Sequence, residues 1–265
     1  MKPTFLNQMR PFITGMVLRE TADEARLLIK NSIADGADAV GIQLEKMRNE
    51  ERTEEKLRWL FSASAGRPIY ITNYRQNYNE NKDDGTLAQE LISYLSYGAT
   101  LGDVPGSLFD DEAGMFIDNE LTTKPDAVKR QMELIDRIHA LGKEALISSH
   151  TSSFLPLDKV LEIALEHQRR GADISKIVTM ANSVEEEMEN LRITSVLKKE
   201  LKIPFLFLAQ GTHSKIHRMI GPQLGSVMYL AVREHSVTSV ATQPTIKSAR
   251  AVRDNFDATP DIIFD

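Results

Sequence analysis

The chain of 265 residues contains no cysteine, which excludes disulfides, thiol nucleophiles and thiolate metal sites. Apolar runs are short: none reaches the roughly 18 residues of a membrane-spanning helix, and the N-terminus lacks the apolar core of a signal peptide. Cations are outnumbered, with 32 Lys and Arg against 38 Asp and Glu. Nucleic-acid binding requires clustered cations. We therefore expect a cytoplasmic protein without membrane or nucleic-acid partners.

Glycine and proline are sparse and no low-complexity segment occurs, so the chain is expected to be globular throughout. Short apolar runs alternate with amphipathic stretches, with a period of roughly 30 residues that is typical of βα units. The predicted strands are Phe12 to Val17, Ala39 to Leu44, Pro68 to Thr72, Met115 to Asp118, Glu144 to Ser149, Asp173 to Met180, Ile203 to Ala209 and Ser226 to Leu230.

Helix signals lie between these strands, such as the capping box of Ser183 and Glu186 and the helix start at Pro125. Residues 73–85 are predicted to form an active-site loop, and residues 98–113 to be irregular. Eight strands alternating with helices predict an α/β fold, a (β/α)8 TIM barrel formed as a single domain by residues 1–265. No Gly-x-Gly-x-x-Gly follows the first strand, which disfavours a dinucleotide-binding open sheet.

Lys176 is the residue that most needs an explanation, because it lies in the middle of the apolar sixth strand. Burial disfavours the charged form of a lysine, and the free amine is a nucleophile toward carbonyl groups. His150 ends the neighbouring fifth strand with the same side-chain parity. If both faces point into the barrel, the imidazole could move protons during Schiff-base chemistry at the lysine.

The residues alone leave alternatives open. Lys176 could belong to a strand edge from which its side chain reaches solvent, and His150 could be a structural histidine. Asp118 and Glu120, at the end of the predicted fourth strand, could orient His150, line the pocket, or be solvated acids.

Several motifs together resemble the type I 3-dehydroquinate dehydratase family. Residues 145–150, followed by Phe154 and Pro156, are similar to its histidine motif, and residues 171–180 resemble Gly-Ala-Asp-x-x-Lys-x-x-x-Met around its Schiff-base lysine. Residues 117–121 resemble its Ile-Asp-x-Glu-Leu strand. Residues 211–226 resemble its Gly-Lys-x-Ser-Arg and Gly-Pro-x-x-Gly-Ser segments. The similarity covers most of the chain in order.

The resemblance implies dehydration of 3-dehydroquinate, or of a related cyclic β-hydroxy keto acid, a step of the shikimate pathway. It implies that Lys176 forms the iminium and that His150 is the general acid and base. Arg218 matches the carboxylate-binding arginine, and Arg75 the arginine near the substrate hydroxyls. No metal or cofactor is implied, the expected partner is a small anionic keto acid, and a homodimer is expected from the family.

Substrate recognition departs from the family pattern at three places. Gly41 and Gln43 stand where the family has Glu-x-Arg, residues 76–80 replace a Glu and two glycines, and residues 241–245 replace Ser-Ala-Pro-Gly-Gln. Replacement contacts are expected from five residues at three places, after the second strand, after the third strand and near the C-terminus: Gln43, Glu45, Asn79, Gln243 and Thr245. Two other functions stay open, a class I aldolase-type carbon–carbon lyase and a non-catalytic ligand-binding barrel.

Overall fold

The computed structural model describes residues 2–114, 120–236 and 239–257, in which eight parallel strands alternate with eight α-helices. The strands are β1 Phe12–Val17, β2 Ala39–Gln43, β3 Ile69–Thr72, β4 Leu101–Pro105, β5 Glu144–His150, β6 Ile174–Met180, β7 Phe205–Gln210 and β8 Met228–Ala231. The helices are α1 Ala22–Ala34, α2 Glu54–Phe61, α3 Asp84–Ser96, α4 Pro125–Ala140, α5 Leu157–Arg169, α6 Val184–Glu200, α7 Lys215–Leu224 and α8 Ile246–Asp257.

The strands form one sheet in sequence order from β1 to β7, and β8 pairs with β1. On the other side, the backbone N–H of Val227 donates to the carbonyl of Phe205 at 2.8 Å, which joins the start of β8 to β7. This contact brings the two ends of the sheet together. The prediction of a (β/α)8 barrel is confirmed, and the carboxyl ends of all eight strands share one face.

The barrel interior is filled by side chains from alternate strand positions, including Met16, Leu146, Ile174 and Leu206. Phe5 closes the opposite end of the barrel, where its backbone N–H donates to Glu144 at 2.9 Å. The helices bury their apolar stripes on the outer face of the sheet. In α4, for example, the buried positions recur at helical spacing: Ala127, Gln131, Leu134, Ile135 and Ile138.

The fourth strand was predicted at the wrong place. Met115 to Asp118 lies outside the described residues, and the fourth barrel position is held by β4, within the segment predicted to be irregular. Gly102 and Pro105 concealed this strand because both residues are rare inside strands. Gly102 is needed for packing, since a Cβ there would lie 3.0 Å from a methyl group of Leu95 on α3.

One helix, α7, had no clear sequence signal. It has only ten residues and contains Gly221 and Pro222, which are both unfavourable inside helices. Tertiary contacts stabilise it: Glu187 on α6 accepts a hydrogen bond at 2.8 Å from the backbone N–H of Ile216 in its first turn. No helix in the described ranges is long and apolar enough to cross a membrane.

Candidate active site

Lys176 lies in the middle of β6, directly beside Ser148 of β5, and its side chain is buried inside the barrel. Its Nζ donates to the hydroxyl of Tyr70 at 3.0 Å, to the hydroxyl of Tyr74 at 2.7 Å and to Oδ2 of Asp103 at 3.0 Å. Three acceptors thus surround the three protons of an ammonium group. The lysine is buried with a complete set of partners.

Asp103, on β4, holds this cluster together. Its carboxylate accepts from Tyr70, from Tyr74 and, at 2.5 Å, from Ser148 Oγ, in addition to its ion pair with Lys176. Burial, reinforced by the negative charge of Asp103, raises the pKa of both tyrosine hydroxyls well above its ordinary range. The two phenols therefore stay protonated and donate to the carboxylate.

His150, at the end of β5, is paired with Glu120. Nδ1 of the imidazole lies 2.9 Å from Oε2 of Glu120, which also accepts the backbone N–H of His150. Burial lowers the pKa of His150, and the charge of Lys176 acts in the same direction. Burial raises the pKa of Glu120 to about 8, and the hydrogen bond from the backbone N–H of His150 opposes this shift. The carboxyl group fixes the ring orientation, with Nε2 on the side away from Glu120.

Arg218 projects from α7 into the same region. Its Nε donates to the carbonyl of Ala209 at 2.6 Å, and burial lowers the pKa of the guanidinium to about 10. None of the carboxylates in the described part of the chain forms an ion pair with it. Arg218 lines a cavity at the carboxyl ends of the strands, and a buried guanidinium at such a place is suited to a bidentate carboxylate ligand.

A cavity of about 190 Å³ opens at the carboxyl ends of the strands and is lined by Lys176, His150 and Arg218. Tyr74 also lines it, so one of the lysine's three partners faces the space for a ligand. Among the residues predicted to bind substrate, the structure places three others here: Gln43, Glu45 and Gln243. Burial raises the pKa of Glu45 to about 6, although Thr72 donates to its carboxylate at 2.8 Å.

One wall of the cavity is apolar where β1 meets β2. A Cβ at position 41 would overlap Sδ of Met16, so Gly41 is the residue that lets the methionine fill this space. Leu18, Leu208 and Leu230 continue the same wall. The polar group that the family pattern would place at position 41 is thus replaced by apolar surface.

The family model for type I 3-dehydroquinase matches residues 15–258. The chain belongs to the type I 3-dehydroquinase family. Among the relatives, the 3-dehydroquinate dehydratase of Aromatoleum aromaticum is 25% identical over 210 residues, covering 76% of this chain and 72% of the relative. That of Methanosarcina mazei is 29% identical over 231 residues, covering 84% and 87%.

Solved structures show the same fold. The 3-dehydroquinate dehydratase of Geobacillus kaustophilus superposes with a TM-score of 0.78 at 19% identity, covering 94% of this chain and 92% of that one. The type I enzyme of Clostridium difficile, solved with covalently modified comenic acid, gives a TM-score of 0.77 at 18% identity, covering 94% and 93%. At such low sequence identity, these two structures show only that the barrel fold is shared.

Within this type I dehydroquinase fold, Arg75 does not reach the cavity. It forms an ion pair with Asp84 and donates to the carbonyls of Ser107, Asp110 and Ala113. In this structure Arg75 is held by these contacts and does not line the cavity, so its assignment to substrate hydroxyls stays a prediction. The residue that precedes it, Tyr74, has the parity that directs its side chain into the barrel, and Arg75 turns outward.

Two further predicted ligands have structural contacts instead. Asn79 is fully buried, donates to Asn73 and to the carbonyl of Tyr74, both at 2.9 Å, and accepts from Arg52 at 2.8 Å. Thr245 caps α8, since its hydroxyl accepts the backbone N–H of Ser248 at 3.1 Å. Both side chains satisfy local backbone and loop groups and neither lines the cavity, so their assignment as substrate ligands stays a prediction.

Of the two predicted supporting acids, Glu120 contacts His150, whereas Asp118 lies outside the described residues. The sequence reasoning missed Asp103, Tyr70 and Tyr74. The signal for the tyrosines was parity, because positions 70, 72 and 74 share one face of β3 and its continuation. The signal for Asp103 was a single acid in the short apolar run of residues 101–104.

Proposed function

We propose that this chain is a hydro-lyase that dehydrates 3-dehydroquinate to 3-dehydroshikimate, or a related cyclic β-hydroxy keto acid, through a Schiff base on Lys176. The observation that supports this most is one cavity lined by a buried lysine, an oriented histidine and a buried arginine. Relatives named 3-dehydroquinate dehydratase support the reaction class.

The reaction begins when the ammonium group of Lys176 loses a proton, which the ketone oxygen takes up, and Nζ as a free amine attacks the ring ketone. Loss of water gives an iminium, whose positive nitrogen draws electrons from the adjacent carbon and acidifies its C–H bond. His150 removes that proton to give an enamine. The enamine then expels the β-hydroxyl group, which leaves as water with a proton from His150, and hydrolysis of the product iminium frees the lysine.

The Glu120–His150 pair suits the alternating role of the imidazole. Because burial lowers the pKa of His150, the ring is neutral in the resting site and is ready to accept the substrate proton. The contact of Nδ1 with Glu120 holds the ring while Nε2 acts toward the ligand. After proton abstraction, the imidazolium would be stabilised by the adjacent carboxyl group.

Arg218 is the group that binds the substrate carboxylate in this proposal. Its Nε is already held by the carbonyl of Ala209, so the guanidinium is oriented before the ligand enters. A carboxylate hydrogen-bonded to a buried guanidinium contributes about 1.5–3 kcal/mol. Binding at Arg218 fixes the ring relative to Lys176 and so directs the ketone toward Nζ.

The test combines product analysis with trapping. Incubation with 3-dehydroquinate and borohydride is expected to attach the ligand to Lys176, and incubation without borohydride is expected to give 3-dehydroshikimate. Lys176→Met serves as the matched control because it keeps side-chain length without the amine. If the wild-type protein gives neither an adduct nor a dehydrated product across a panel of cyclic keto acids, the proposal is refuted.

A panel of cyclic keto acids is needed because the cavity wall at Met16 and Gly41 is apolar. Hydroxyl groups placed against this wall would lose hydrogen bonds to water without replacement, at a cost of about 1–3 kcal/mol each. Ligands that present a hydrocarbon edge to Met16 should therefore bind at least as well as 3-dehydroquinate. Comparing kcat/KM across ring keto acids that differ by one hydroxyl identifies the substrate within the class.

We also propose a homodimer in the cytoplasm. Support for self-association comes from Met132 on α4 and Leu165 on α5, which expose 36% and 41% of their surface on one groove. Light scattering of the wild type and of Met132→Glu tests the assembly. A monomeric mass for the wild-type protein at micromolar concentration would refute it.

A further inference from the structure

The three partners of Lys176 Nζ differ in one respect. Tyr70, Tyr74 and Asp103 all contact the amine, but only Tyr74 also lines the cavity. Its hydroxyl has the shortest of the three contacts with Nζ, at 2.7 Å. Tyr74 is therefore the group that touches both the nucleophile and the space that a ligand fills.

The hydroxyl of Tyr74 has a hydrogen-bond arrangement suited to passing protons. It accepts from Nζ of Lys176 and donates to Oδ2 of Asp103. A hydroxyl that accepts and donates at the same time transfers a proton by taking one on a lone pair and releasing its own. The ring is fixed by an edge-on contact with His150, at 5.7 Å between the ring centroids and 83° between the planes.

Iminium formation needs such a transfer. When an ammonium lysine combines with a ketone, Nζ keeps one proton and the positive charge, and its two other protons leave with the ketone oxygen as water. The oxygen is bonded to the carbon that Nζ attacks, so it lies within reach of a hydroxyl that contacts Nζ. Because the nitrogen is positive before and after the step, Asp103 balances its charge in both states.

We propose that the hydroxyl of Tyr74 carries protons between Nζ of Lys176 and the ketone oxygen during iminium formation and hydrolysis: its O–H turns from Asp103 to the ketone oxygen and delivers that proton as the phenol oxygen takes one from Nζ. This inference rests on the proposed Schiff-base function and divides its chemistry in two. Tyr74 transfers protons while the carbon–nitrogen bond forms and breaks. The Glu120–His150 pair transfers protons at the acidified carbon and at the leaving hydroxyl. Tyr70 does not line the cavity, and it positions the lysine without touching the ligand.

Exchange of the ketone oxygen with ¹⁸O-labelled water isolates the iminium step, because the exchange requires only formation and hydrolysis of the iminium. With 3-dehydroquinate as the probe, Tyr74→Phe is expected to slow exchange and borohydride trapping by roughly 100-fold, the usual contribution of a positioned acid or base. Tyr74→Gln keeps a donor for Asp103 but cannot relay a proton, and the same loss is expected. The dissociation constant of the probe should change little.

Tyr70→Phe is the matched control, since Tyr70 makes the same two contacts with Lys176 and Asp103 outside the cavity. Its exchange rate is expected to stay within roughly tenfold of wild type, and circular dichroism compares the folding of all three variants. Wild-type exchange in Tyr74→Gln would overturn the relay, as would equal losses in Tyr70→Phe and Tyr74→Phe. Absence of exchange in the wild-type protein would refute the Schiff-base function together with the relay.

Discussion

The ion pair between Asp103 and Lys176 allows a quantitative test of the buried cluster. Asp103→Asn preserves the shape of the side chain but removes the anion that faces Nζ at 3.0 Å. Lys176→Met preserves length but removes the cation. Both side chains are almost completely buried, so little solvent is available to screen the charge that remains.

The two single variants should lower the free energy of unfolding by unequal amounts. Asp103→Asn leaves a buried lysine without its anion, a change that lowers the free energy of unfolding by about 3–5 kcal/mol. Lys176→Met should cost about 1–3 kcal/mol, because three hydroxyl groups still donate to the carboxylate, those of Tyr70, Tyr74 and Ser148. With neither charge present, the double variant leaves no buried ion unpaired and should lose no more than Lys176→Met alone.

Urea unfolding followed by circular dichroism measures all four proteins of this double-mutant cycle. A coupling free energy of about 3 kcal/mol or more is expected, since residues in direct contact are not additive. If the double variant instead lost the sum of the single losses, about 4–8 kcal/mol, the two side chains would be independent. The cluster described around Nζ would then be wrong.

Three further predictions concern other residues. Burial raises the pKa of Glu45 from 4.5 to about 6, so the free energy of unfolding falls as pH rises through this window. The free energy of unfolding of Glu45→Gln should therefore exceed that of the wild type by up to about 2 kcal/mol at pH 7 but not at pH 4, and equal values at pH 7 would contradict this. Arg218→Lys should lower kcat/KM roughly 10- to 100-fold by removing a bidentate contact, and unchanged kinetics would exclude Arg218 from carboxylate binding. Arg75→Met should lower the free energy of unfolding by about 1.5–3 kcal/mol and leave KM within about twofold, whereas a large rise in KM would restore its role as a substrate ligand.

The strand and helix pattern was predictable where local signals agree. Seven strand predictions differ from the structure by at most two residues at either end because they consist of apolar residues bounded by turns, as in β1 and β6. The strand β4 was not predictable in this way, since Gly102 and Pro105 interrupt it and only the packing of Leu95 explains the glycine. Helix α7 was not predicted because it contains Gly221 and Pro222, which are unfavourable inside helices, and it depends on tertiary contacts such as that of Glu187 with Ile216.

The sequence by itself determined the alternation of strands and helices and the shared parity of Lys176 and His150, since both depend on local periodicity. Only the tertiary structure decided which groups surround the lysine. Tyr74 and Asp103 lie 102 and 73 positions from Lys176 in the chain, and they meet because the barrel turns one face of every strand toward a common axis. Arg75 shows the converse, because one position along β3's continuation reverses the direction of the side chain and gives it Asp84 as a partner.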